Sequence, residues 1–268
     1  PPPHFQAEDG IRDPPYSLVG SEMCIRDRMS GGPKPFGIDA EQVPDVLHRI
    51  AECGAYFRGF HIFSGSQNLR AESLIEAQNA TFELALRLAD DAPATMEMLN
   101  IGGGFGIPYF PGEQRLDLRP VSENLQARIE EYAHRLGDTE LVIELGRYLV
   151  AEAGIYVCEV VDRKVSRGQT YLITNGGLHH HLAASGNFGQ IIRKNYPVVT
   201  AHRVAQGPRE SVSVVGPLCT PLDILADNME LGTAEVGDLI AVLQSGAYGY
   251  TASPHLFLSH PAPVEILV

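Results

Sequence analysis

From Ile38 to Gly146 the chain alternates between a helical and a strand hydrophobic period, and beyond about Ile155 that alternation stops. Asp39 followed by Gln42 marks a helix start, with Val46, Leu47, Ile50 and Ala51 at helical spacing behind it. The run Tyr56–Phe63 is short, aromatic and branched, as a buried strand is. Asn68 is placed to cap a longer helix in which Ile75, Phe82 and Leu86 share a face. Met96–Ile101 then reads as a strand running into Gly102-Gly103-Gly104-Phe105-Gly106. A third helix carries Leu125, Ile129, Tyr132 and Leu136 on one stripe, and Leu141–Glu144 is the strand after it. Strands joined through helices run parallel, so this part is expected to form an α/β sheet or barrel. A complete (β/α)₈ barrel takes about 250 residues, and residues 29–155 supply about half of one.

Residues 156–268 follow a different rule. Tyr156–Val161, Thr170–Thr174, Ser211–Val215 and Asp238–Gln244 read as strands separated by Gly, Pro and Asn, with little helix between them. A second, mainly β domain is expected there. Residues 1–28 show no sustained period and repeat Ile-Arg-Asp, at Ile11–Asp13 and Ile25–Asp27. In its AEDGIRD and SLVGSEMCIRDR portions this segment resembles translated sequencing-adapter read-through. It is set aside as a non-native leader, and the gene is expected to be cut at its 5′ end.

Charge and cysteine usage narrow the function classes. A net charge of −13, with 20 Lys and Arg scattered along the chain, does not suit sequence-independent nucleic-acid binding. No apolar run reaches the roughly 18–20 residues of a membrane span, and the N-terminus has no basic region followed by an apolar one, so a cytoplasmic location is expected. Cys24, Cys53, Cys158 and Cys219 make no C-x-x-C pair and no disulfide framework. The run His179-His180-His181 invites a metal reading. On an extended segment only His179 and His181 could converge, however, and acidic partners at ligand spacing are absent, so no metal is expected.

Polar or glycine-rich groups follow the strands, at the end where parallel barrels carry their chemistry. The run Gly102–Gly106 lets backbone N–H groups approach an anion closely, although a tight turn explains glycines as well. Read in order, GFHIFSGSQ (59–67), GGGFGIPY (102–109), ELGR (144–147), NGGLHHH (175–181), GPLCTPLD (216–223) and SGAYG (245–249) resemble the ornithine, arginine and diaminopimelate decarboxylases, which use pyridoxal phosphate. The resemblance covers residues 30–268. From Gly186 through the terminal His260–Glu265 it is closest to the exosortase-A-associated branch.

The resemblance implies an alanine-racemase-like barrel followed by a β-rich domain, a small amino acid as substrate, and a homodimer with shared active sites. It assigns Glu144 to the pyridine nitrogen, and it assigns Ser66, Gly102, Gly103, Gly104, Gly146, Arg147 and Tyr248 to the phosphate. Phe63 stands where the family has the histidine that stacks on the ring; stacking survives that change, but a proton-related role does not. Leu145 replaces the family's usual proline. Cys219 matches the cysteine that protonates the carbon after CO₂ leaves, and Asp223 matches an acidic residue of the same loop. Arg193 and Tyr196 resemble a substrate-contact pair, with one residue fewer between them. Diaminopimelate decarboxylases carry Glu after the cysteine, where this chain has Thr220. None of Lys34, Lys164 and Lys194 stands in the context of the lysine that anchors the cofactor, which belongs to an early barrel strand. The rival readings are a racemase of the same architecture, which should lack the GPLCTPLD loop, and a non-catalytic pyridoxal-phosphate-binding protein.

Overall fold

The computed structural model describes residues 21–22 and 37–268, apart from 111, 189, 191–192 and 203–206. It divides into two units. The first comprises the described residues up to Gly106 together with Leu116–Leu145, and the second comprises Ile107–Arg115 and Gly146–Val268.

The first unit is a parallel sheet in the order β1 (Ser21–Glu22), β2 (Gly59–Phe63), β3 (Met98–Gly103), β4 (Glu140–Glu144). Helices α1 (Val43–Cys53), α2 (Ala71–Ala89), α3 (Leu118–Glu131) and the short α4 (Ala133–Leu136) alternate with these strands. Phe60 and Ile62 of β2 and Leu99 and Ile101 of β3 pack with Leu47 of α1 and Phe82 and Ala85 of α2. Because side chains alternate along a strand, His61 and Asn100, which are direct partners across β2 and β3, occupy the other face. Helix α1 starts at Val43, later than Asp39, with Pro44 in its first turn, and Gly54 ends it at φ 66°. Asn68 does not cap α2 itself; its Oδ1 accepts the N–H of Arg70, the residue before the helix.

Two residues of the leader, Ser21 and Glu22, lie parallel to Ile62 and Phe63. A strand of two residues is too short to leave a period in the sequence. The rest of the leader lies outside the described residues.

The second unit holds a mixed sheet ordered β7 (Val198–Thr200), β10 (Leu239–Val242), β5 (Tyr156–Ser166), β6 (Gln169–Thr174), β8 (Arg209–Val215), β9 (Ile224–Gly232). Only β6 and β8 pair in parallel; the other pairs are antiparallel. Val160, Leu172, Val214, Leu225 and Ile240 form its core, each essentially inaccessible. This unit begins ten residues before the expected boundary. Ala151 is fully buried in its core, and Ile107 and Tyr109, read from the sequence as part of the first domain, are buried there as well. A five-residue helix, α5 (Gly146–Val150), leads into it. Among the described residues no helix is long and apolar enough to cross a membrane.

Candidate active site

In the first unit the polar groups collect at the C-terminal ends of β2, β3 and β4. The loops after β2 and β3 are joined: Asn68 donates its N–H to the carbonyl of Gly104 at 2.8 Å and accepts from Gly106 at 2.9 Å. The glycines make this closeness possible. A Cβ on Gly103 would stand 1.6 Å from the Glu144 carbonyl oxygen, and one on Gly104 would stand 2.3 Å from that of Gly65. Beside these loops is a cavity of about 530 Å³, lined among others by Phe63, Ser66, Gly103 and Gly104. The expected stacking and phosphate residues of this unit therefore share one cavity.

Glu144 ends β4 with its side chain about half exposed. Asn100 donates its Nδ2–H to Glu144 Oε1 at 2.9 Å, and His61 Nε2 lies 3.3 Å from Oε2. Asn100 lies outside the quoted motifs and His61 lies inside GFHIFSGSQ, but neither received a role from the sequence. A signal was nonetheless present: each is a polar side chain set between two apolar neighbours of a strand.

In the second unit Arg147 lies between two rings, its guanidinium carbon 5.5 Å from the centroid of Tyr109 and 4.9 Å from that of Tyr248. Such stacking holds a guanidinium by its faces and leaves its N–H edge for an anion. Among the described residues no carboxylate forms an ion pair with it. Tyr109 leans on Tyr196 at 4.7 Å between centroids. Burial pushes the Tyr109 hydroxyl pKa up, against the opposing effect of the Arg147 charge. Tyr248 has φ 60° and is partly exposed. The preceding SGAYG turn is close-packed, since a Cβ on Gly246 would stand 1.9 Å from the Val150 carbonyl oxygen.

Cys219 is a free, exposed thiol. Asp223, four residues on, is 2% exposed, and its two oxygens accept the N–H groups of Leu178 and Leu218 at 2.6 and 2.8 Å. Burial pushes its carboxyl pKa up, while these two bonds act to hold it down. The structure thus makes Asp223 a tie between two loops, with no open face for a substrate, in place of the contact expected from the motif. Tyr196 is likewise buried in the core, and Arg193 donates to the carbonyl of Ile224 while burial lowers its pKa. Of the three residues expected around the substrate, Asp223 and Tyr196 are buried, and Arg193 is partly buried with its Nε unpartnered among the described residues.

The three histidines lie on a turn, with His180 and His181 both donating N–H to the Gly177 carbonyl, so the strand-like alternation expected for them does not apply. His179 and His181 are buried, and burial pushes each pKa down to about 4. Among the described residues no group of three or more His, Cys, Asp or Glu is arranged to hold a metal.

Residues 17–246 match the pyridoxal-dependent decarboxylases in the description "C-terminal sheet domain". The chain belongs to the pyridoxal-dependent decarboxylase family. The match begins inside the segment that the sequence reading set aside as a leader. The L-glutamyl acyl-carrier-protein decarboxylase of Niallia circulans is 40% identical over 97% of this chain and 61% of its own length. The 2-[(L-alanin-3-ylcarbamoyl)methyl]-2-hydroxybutanedioate decarboxylase of Staphylococcus aureus is 31% identical over 88% of this chain and 59% of its own. Among solved structures, diaminopimelate decarboxylase of M. jannaschii with L-lysine superimposes with a TM-score of 0.67 at 24% identity, covering 77% of this chain and 45% of that one. The chain therefore spans about three fifths or less of the length of the relatives it matches.

The family's cofactor is pyridoxal phosphate. The groups present fit it: a half-exposed carboxylate at a strand end suits a protonated ring nitrogen, and the Ser66 hydroxyl with the glycine turn suits a phosphate. In the second unit, considered by itself, the guanidinium of Arg147 between Tyr109 and Tyr248 is of a chemistry that suits a phosphate.

Proposed function

We propose that the chain serves the pyridoxal-phosphate-dependent removal of the α-carboxylate from a small amino acid, with its first unit as half of a (β/α)₈ barrel and with homodimers as the working form. The observation that carries this reading is the Glu144 carboxylate, half exposed at the end of β4, with one oxygen accepting from Asn100 and the other 3.3 Å from His61 Nε2.

When bound, the cofactor supplies a sink for the electron pair left by departing CO₂. Glu144 holds a proton on the ring nitrogen. Phe63 offers an apolar ring for stacking, and the Gly103–Gly104 turn with the Ser66 hydroxyl binds phosphate oxygens, the Gly102 N–H being taken by Asn100. In the second unit the family resemblance assigns phosphate contacts to the Gly146 backbone, Arg147 and Tyr248, and Cys219 would give a proton to the carbon that lost CO₂. Two features favour a substrate other than free diaminopimelate: Thr220 follows Cys219 where those enzymes carry a carboxylate, and the Niallia relative is named for a glutamyl group on a carrier protein. The cysteine loop favours decarboxylation over racemisation.

The test is release of labelled CO₂ from amino acids carrying the label in the α-carboxylate, with pyridoxal phosphate present. It is run on the chain and on a chimera that adds the part of the Niallia relative left uncovered by the match. CO₂ release is expected from the chimera and not from the chain alone, in which none of Lys34, Lys164 and Lys194 stands in the anchoring context. Exchange of the α-hydrogen without CO₂ would favour a racemase, and cofactor binding with neither reaction would favour a non-catalytic protein.

A further inference from the structure

Strand β3 carries a buried asparagine between two buried apolar residues, Leu99 and Ile101. A primary amide in such a place costs free energy unless its donor and acceptor are both engaged. Asn100 engages both. Its Oδ1 accepts the N–H of Gly102 at 2.8 Å, and its Nδ2 donates to Glu144 at 2.9 Å. The Gly102 bond fixes which end of the amide faces the carboxylate, because only the oxygen can accept from an N–H.

The backbone is irregular at the same point. Asn100 pairs with Val142 and Gly103 with Glu144, so β3 advances three residues while β4 advances two. The extra residue is a bulge, with Gly102 at φ 69°. Bulges re-aim the side chains around them. The Asn100 amide spans this bulge from the glycine turn to the carboxylate, while His61, its partner on β2, approaches the other carboxylate oxygen.

We infer that Asn100 is a positioning residue: it fixes the aim of the Glu144 carboxylate and couples it to the Gly102–Gly104 turn, so that the group facing the ring nitrogen and the group facing the phosphate are held as one rigid unit. His61 limits the carboxylate from the other side. The coupling to cofactor rests on the function proposed above; the fixing of Glu144 does not, so the two can fail separately.

The experiment uses the 268-residue chain. Side-chain order at Glu144 is measured by NMR relaxation without ligand, in the wild type, in Asn100→Ala and in Asn100→Asp. Asn100→Asp keeps an acceptor for the Gly102 N–H but cannot donate to Glu144, and it serves if the alanine variant does not fold. An ordered wild-type side chain that becomes rotamer-averaged in either variant supports the inference. Unchanged order in a folded variant overturns it.

Binding of pyridoxine 5′-phosphate, which needs no lysine, is then followed by affinity and by the ring absorbance that reports nitrogen protonation. Asn100→Ala is expected to weaken binding roughly tenfold and to shift the absorbance toward the unprotonated ring. In a Glu144→Ala background it is expected to do neither. Equal effects in both backgrounds would show that Asn100 does not act through Glu144 and would overturn the coupling. A wild-type chain that does not bind the probe would overturn the cofactor reading and the coupling together, and leave the NMR result to decide the fixing of Glu144.

Discussion

The two units place their chemistry on different kinds of backbone. In the first, Glu144, Asn100 and His61 ride on neighbouring parallel strands, so pleat and register already aim them, and the Asn100–Glu144 hydrogen bond completes the arrangement. In the second, Cys219 and Tyr248 sit on loops and turns, where nothing periodic sets direction. There the aim comes from buried ties: Asp223 clasps two loops, and Arg147 lies between two rings. A side chain on a strand can thus be lost without much effect on the fold around it. A tie beneath a loop carries the loop with it.

The largest test of that contrast is Asp223→Ala. It leaves two buried N–H groups without a charged acceptor, each such bond contributing roughly 1.5–3 kcal/mol, so a loss of about 3–5 kcal/mol is expected in urea unfolding. A loss below about 1 kcal/mol would show that the loops hold without the clasp. Next comes Glu144→Gln, expected to leave the unfolding curve nearly unchanged while lowering decarboxylation by the Niallia chimera about 10²-fold or more and cofactor affinity far less. An unchanged rate would remove Glu144 from the site.

Acid should act on the second unit, where His179, His180 and His181 lie. Their pKa values are depressed by burial first and, for His179, also by the neighbouring His180, His260 and His255. The unfolded chain therefore binds protons that the folded chain refuses. Stability is full above about pH 6.5 and falls as pH drops toward 4, by up to about 1.4 kcal/mol per pH unit for each fully buried histidine. Hydrogen exchange at pH 7 and pH 5 is expected to show the second unit loosening first; equal loosening of both units would contradict it.

The smallest effect on folding is expected from Cys219→Ser, within about 0.5 kcal/mol, because the thiol is exposed. Its proposed role is instead visible between subunits. In the Niallia chimera, co-refolding a Cys219→Ala parent with a Glu144→Gln parent is expected to restore roughly a quarter of the unsubstituted chimera's activity, since about half the dimers are mixed and each has one intact site. Tagged heterodimers with no recovery would place Cys219 in the site of its own chain or outside catalysis.

Much of the first unit was legible because its strands are apolar, uninterrupted and followed by glycine; β2, β3 and β4 lie within a few residues of their expected positions. The second unit was harder to read. Strand β5 runs past Val161 to Ser166 because Asp162, Arg163 and Lys164 hide its continuation, and Arg167 and Gly168, both at positive φ, make the turn into β6. Strand β9 escaped notice because Asp227 and Asn228 break its apolar run, with Asn228 at φ 45°. At the site, motif matching picked out Glu144 but could not show what holds it, since Asn100 and His61 come from two other strands. It also placed Asp223 beside the substrate, because a motif records the type of a residue and not the direction in which it points.

The glycine run has a consequence for how such chains diverge. Gly103 and Gly104 are required by the closeness of one stretch of polypeptide to another, at 1.6 and 2.3 Å from the backbone oxygens a Cβ would meet, whether or not an anion is nearby. Selection for folding alone would therefore preserve them. A descendant that had abandoned the cofactor would still carry the glycines, and would be expected to betray the loss first at Ser66, since Glu144 also accepts from the buried Asn100 amide.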